Sequence, residues 1–196
     1  MHGVILAVID RSLSSTGLLL RSAIIIAIGL VLSNGIGVRG VWRMLSRRPC
    51  QGGLSRHLFA STFATLALVL ELFCLSRIGN PPARGRALVL AMMLSRWSVV
   101  PIGYGLSVKG PGGLGIRFDG VITFRDFAVS SVIALGLAMT AYDLVGLIVI
   151  VILALTILGL RFIFSRIFGG VDGSSLGAGA YFCELATIAV LCAIQI

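Results

Sequence analysis

The chain has 196 residues, 58% of them hydrophobic and only 12% charged, with a mean hydropathy of +1.08. Soluble domains carry about a quarter charged residues, so a water-exposed globular fold is excluded. The net charge of +9 would suit nucleic acid if it were clustered, but the basic residues stand in gaps between apolar runs, which argues against that partner.

Residues Gly3 to Ile9 are apolar but stop at Asp10 and Arg11. No basic segment leads them and no small-residue cleavage site follows, so they read as an interfacial or truncated helix, not a signal peptide. Longer apolar runs follow at Thr16 to Leu32, Leu58 to Leu75, Ala87 to Leu106, Phe127 to Tyr142, Leu144 to Leu160 and Ala180 to Ile196. At about 1.5 Å per residue, such runs reach most or all of a hydrocarbon core about 30 Å thick. Helix is the state that satisfies every backbone donor inside lipid. The expected fold is therefore all-α, a polytopic transmembrane helical bundle of about six spans, forming a single integral membrane domain over residues 1–196. Phe127 to Tyr142 and Leu144 to Leu160 meet at Asp143 and predict a tight helical hairpin, with one re-entrant pair as the alternative.

The gaps carry most of the charge. The first holds Arg39, Arg43, Arg47, Arg48 and Arg56; the third holds Lys109, Arg117 and Arg125; the fifth is flanked by Arg161 and Arg166. The second has Arg77, Arg84 and Arg86, and the fourth only Asp143. Positive-inside counting places the odd gaps in the cytoplasm and the N-terminus outside; the expected location is a multi-pass protein of the cell inner membrane. The four cysteines, Cys50, Cys74, Cys183 and Cys192, lack paired spacing and read as free, mostly buried thiols.

Ionisable residues within the spans are costly and therefore informative. Arg21 is expected to snorkel to the interface. Glu71 and Arg96 either neutralise each other inside the bundle or serve function, and Glu184 stands just past a glycine-rich stretch, Gly169 to Ala178, that contains Asp172, Gly173, Ser174, Ser175 and Gly177. Such backbone can approach a phosphate closely, although a tight loop leading into small-residue helix packing is the plainer reading. Two further glycine-rich stretches, Ser33 to Gly40 with Asn34 and Gly35, and Lys109 to Phe118 with Gly112, Gly113 and Gly115, fall on the same membrane face if the helices alternate.

Three of these segments, Ala87 to Trp97, Gly112 to Phe118, and Gly169 to Ala178 with Glu184, resemble in order and spacing the cobalamin synthase family, the adenosylcobinamide-GDP ribazoletransferases. Ser61 to Leu68 is similar to that family's G-T-F-G-x-L-A-L helix start, and the likeness extends over about residues 33 to 190. The family's usual first helix and its L-P-V-P-type leader have no counterpart. The resemblance implies a Mg²⁺-dependent membrane transferase whose partners are a nucleotide-activated corrinoid and α-ribazole or its phosphate, with GMP released. Asp172 and Glu184 are the candidate catalytic residues, and a divergent member of the family would hold its metal through Asp172, Glu184 and Asp119. Arg96, Gly112, Gly113, Gly115, Gly173, Ser174, Ser175, Gly177, Asn34 and Gly35 would bind substrate.

The sequence departs from the family where magnesium should sit. The D-G-x-x-D-x-x-D-G signature reads Asn34 to Trp42 here and retains no carboxylate, and the K-D-S element falls on Arg56-His57-Leu58. The competing reading is a non-enzymatic membrane protein: a degenerate relative, a scaffold or a small transporter subunit. A homo-oligomer is left open.

Overall fold

The computed structural model describes residues 2–13, 17–46, 53–106, 123–168 and 170–194, and among them the regular structure is helical. In chain order the helices are α1 (His2–Ser12), α2 (Leu18–Leu32), α3 (Ile36–Ser46), α4 (Gly53–Arg77), α5 (Pro81–Gly103), α6 (Phe124–Ile167) and α7 (Gly173–Ile194). Four of these are long and apolar enough to cross a membrane, or five if the bent α2–α3 pair counts as one span. The chain is a multi-pass membrane bundle, as its hydropathy predicts.

Helix α6 is where span counting matters most. As one rod its 44 residues would reach about 66 Å, twice the hydrocarbon thickness. Tyr142 and Asp143 leave helical geometry, Asp143 with φ 50°. A Cβ on Gly146 would sit 2.1 Å from the Ala138 carbonyl oxygen, so the segments on either side of the break touch backbone to backbone. Contacts with α5 give the direction. Phe127 stacks on Tyr104 and the Tyr142 hydroxyl donates to the Ala83 carbonyl. The Arg161 guanidinium returns to the carbonyls of Pro101 and Tyr104. Residues 127 and 161 thus lie at the same end of α5, and α6 is the predicted hairpin. It contributes two passes, and with the bent pair about six result.

Local chemistry sets the helix ends. Thr123 and Asp126 form a reciprocal capping box at the start of α6. Asn80 precedes Pro81 and Pro82, which occupy the first turn of α5, where a missing N–H costs no hydrogen bond. Arg161 satisfies carbonyls that the end of α5 leaves unpaired.

Three sequence expectations are corrected. The run from Thr16 does not end in a loop at Ser33: α2 bends by 77° and continues as α3. Asn34 and Gly35 make the turn with φ of 53° and 61°, a conformation that glycine and asparagine adopt most readily. Glycines at 37 and 40, expected in a loop, are helical and let α3 lie against α7. A Cβ on Gly40 would come within 2.6 Å of the Ala178 nitrogen, and one on Gly37 within 2.9 Å of Tyr181. Likewise Gly173 to Ala178 are the first turns of α7, so the last helix starts seven residues earlier than hydropathy suggests.

Arg21 does not snorkel. Asp10, read as the residue that ends an interfacial segment, is buried in the bundle and takes both Arg21 nitrogens, Nε at 2.7 Å and Nη2 at 2.5 Å. Arg84 on α5 joins them, its Nε 3.0 Å from Asp10 and its Nη2 donating to Ser22 at 2.7 Å. Packing of α1 against α2 and α5 sets an acid beside two bases, and an ion pair is cheaper in lipid than a lone charge.

Candidate functional site

Between α2, α3, α4, α5 and α7 lies a cavity of about 80 Å³ lined by Ser33, Glu71, Ser95, Arg96, Tyr181 and Glu184 among apolar neighbours. Each wall arises from a local feature. The α2–α3 bend exposes Ser33 and Gly37 to it. Non-helical backbone at membrane depth is tolerated where it lines such a space. Tyr181 and Glu184 stand three residues apart on one face of α7. Ser95 and Arg96 come from α5, and Glu71 from α4.

Of the two readings of Glu71 and Arg96, neutralisation of each other or a functional role, the geometry gives Glu71 another partner: the Tyr181 hydroxyl donates to Glu71 Oε2 at 2.8 Å. Arg96, Ser95 and Glu184 line the same cavity. Two acids, one guanidinium, a phenol and two hydroxyls therefore line one cavity inside the bundle. Tyr181 and Ser95 were not singled out in the sequence. The three-residue spacing of Tyr181 and Glu184, and the adjacency of Ser95 to Arg96, were the available signals.

Asp172 occupies a different position. Its Oδ1 accepts from Ser174 Oγ (2.7 Å), Ser175 N (2.8 Å) and Ser175 Oγ (2.8 Å), which makes it the N-terminal cap of α7. Twelve residues of helix, about 18 Å of rise, separate it from Glu184. Asn34 is likewise engaged locally, accepting from Arg39 Nη2 through its side-chain oxygen at 2.8 Å and its carbonyl at 2.5 Å. Gly177 packs on the Ile36 carbonyl and Gly40 on Ser174, so the first and last glycine-rich segments meet through α3 and α7. Gly173, Ser174, Ser175, Asn34 and Gly35 belong to that end. Gly112, Gly113, Gly115 and Asp119 lie outside the described residues. Tyr104 and Phe127, on either side of their segment, touch at the bundle end where the Gly170 N–H meets the Phe164 carbonyl and Gly179 faces Ile102 and Phe164. Cys74, Cys183 and Cys192 are free and buried; Cys50 lies outside the described residues.

This arrangement, small residues at one bundle end above a cavity with Arg96 and Glu184, lies within the part of the chain that matches a known family. The sequence profile described as cobalamin-5-phosphate synthase covers residues 58–194, more than half of the chain. The chain belongs to that family. It is also similar to an adenosylcobinamide-GDP ribazoletransferase of Roseiflexus sp. (strain RS-1), 35% identical over 129 residues, which are 64% of this chain and 46% of that relative. The chain thus spans about half the length of the relative it matches. No solved structure matches it. The family match contains most of α4 and all of α5 to α7 and so includes Glu71, Arg96, Asp172, Tyr181 and Glu184, while α1, α2 and α3, with the missing acidic signature, lie before it.

Proposed function

We propose that the protein transfers α-ribazole, or its phosphate, onto adenosylcobinamide-GDP in the cell inner membrane, with release of GMP. The observation that carries the proposal is the placement of Arg96 and Glu184 in one cavity beneath the glycine-rich end of a chain belonging to the cobalamin-5-phosphate synthase family. A cavity of about 80 Å³ has room for two or three waters, so both substrates dock above it, where Gly173 and Ser174 at the start of α7 stay partly exposed. There glycine backbone allows close approach of the diphosphate. Arg96 offsets its negative charge. A ribose hydroxyl attacks the phosphorus that bears the corrinoid; its bond to that phosphorus forms as the bond to the GMP oxygen breaks. Glu184 takes the hydroxyl proton through the two or three waters that the cavity holds, and Tyr181 holds Glu71 at the same cavity.

Magnesium belongs to the proposal as the counterion of the substrate's diphosphate, where it would neutralise phosphate charge. A centre shared by Asp172 and Glu184 does not fit, because 18 Å or so of helix separates them. Among the described residues no group of three His, Cys, Asp or Glu side chains is placed to hold an ion. Residues such as Val132 and Leu144, 70% and 73% exposed on α6, face lipid in this reading.

The test is GMP release from membranes given adenosylcobinamide-GDP, α-ribazole and Mg²⁺. Glu184→Gln should lower the rate by a factor of about 10²–10⁴, the usual worth of a positioned acid or base, without loss of membrane insertion. No GMP from well-folded parent protein would leave the non-enzymatic alternative standing.

A further inference from the structure

A second, larger recess, lined by α5 residues that the cavity does not use, plays no part in the proposed reaction. It is a groove of about 820 Å³ between α1, the first half of α5 and the end of the first arm of α6. Val4, Val8, Val89 and Leu137 supply apolar wall, and Arg11 and Arg86 stand at the end formed by the last turn of α1, the break in α6 at Tyr142 and Asp143, and the start of α5. Charge is thus confined to the end nearest the membrane surface. Greasy wall continues inward from it.

Three observations bear on what fills the groove. Arg86 is held over the Tyr142 ring, 5.6 Å from its centroid, and Tyr142 is anchored to the Ala83 carbonyl. The guanidinium is therefore positioned at the mouth even though it is exposed. Behind it, Asp10 faces both Arg21 and Arg84, which leaves that buried cluster with a net positive charge, and Arg84 Nη1 has no hydrogen-bond partner. Finally, Val4, Val8 and Leu137 are 56%, 61% and 46% exposed, so among the described residues the wall is left largely uncovered. The volume falls within the roughly 300–1,000 Å³ typical of small-molecule sites.

We infer that this groove binds one anionic phospholipid, with its phosphate between Arg11 and Arg86 and an acyl chain along Val4, Val8, Val89 and Leu137. Charge decides the occupant. A neutral hydrocarbon would use the wall and ignore the mouth, and a zwitterionic headgroup brings a positive charge into an already positive site. Basic pockets between transmembrane helices select anionic headgroups on the same grounds. The inference stands apart from the ribazole-transfer reading, because the groove shares none of Glu71, Arg96, Tyr181 and Glu184.

The experiment is native mass spectrometry of the detergent-solubilised full chain with phosphatidylglycerol, with phosphatidylcholine of the same acyl chains, and with inorganic phosphate, alongside thermal unfolding under the same conditions. Phosphatidylglycerol should be retained at one per chain and raise the unfolding temperature, while the other two do neither. Arg11→Gln with Arg86→Gln should cut retention about tenfold. Leu137→Trp should cut it with both arginines in place, whereas Arg77→Gln, which removes a charge stacked on Phe73 outside the groove, should not. If the double variant fails to fold, Arg86→Gln alone carries the test. Equal retention of phosphatidylcholine, equal protection by inorganic phosphate, or undiminished phosphatidylglycerol binding in the arginine variants overturns the inference.

Discussion

Asp10, Arg21 and Arg84 show how far a single side chain's role depends on what the fold brings to it. Asp10 and Arg84 are 1% and 0% exposed, and Arg21 is 3% exposed. Replacing Asp10 with Asn would leave two guanidiniums buried without a counter-charge, a change that costs about 3–5 kcal/mol. Thermal unfolding in lipid should show a large fall in midpoint for Asp10→Asn. The variant that also carries Arg21→Leu should recover part of it, because the stranded charge is then halved. An unchanged midpoint for Asp10→Asn would mean that α1 is held by its apolar contacts alone. From sequence, Asp10 marked the end of a segment and Arg21 a snorkelling residue. Neither reading had access to the partner, since Asp10 meets Arg84 across 74 positions of chain.

At the scale of helices, glycine placement decides how closely elements approach. In lipid no hydrophobic force drives helices together, so close packing of small residues carries the association. Gly40→Val would drive a side chain into the backbone of α7, where a Cβ already meets atoms at 2.6 and 2.7 Å. A loss of about 1–3 kcal/mol or more is expected, read as a lower unfolding midpoint. Gly159→Ala, which has nothing within 4 Å, is the neutral control. A Gly40→Val protein as stable as Gly159→Ala would show that α3 does not depend on this contact. The α6 hairpin was legible because Asp143 interrupts two apolar runs. Helix α3 was not, because its glycines and arginines imitate a loop, and their function as a packing face exists only once α7 lies alongside.

For the whole molecule, orientation follows from which ends coincide. Leu106 and Arg166 lie at the bundle end of the glycine-rich segments, and Asn80 and Asp143 at the other. Single cysteines at these four positions, in a background without native cysteines, should label in two pairs from opposite sides of sealed vesicles. Labelling of Leu106→Cys and Asn80→Cys from the same side would contradict the α5 span itself.

Apolar run length and charge position were enough to determine a helical membrane bundle, because the bilayer leaves backbone polar groups no other partner. Motif order was enough to point to the family, and Arg96 and Glu184 were legible as intramembrane charges. Only the tertiary structure decided their surroundings: Glu71 bonded to Tyr181; Arg96, Ser95 and Glu184 around one cavity; and Asp172 as a helix cap about 18 Å of rise away. Periodicity and hydropathy report each residue's solvent, whereas which charges meet across a bundle is set by how separate helices rotate and stack.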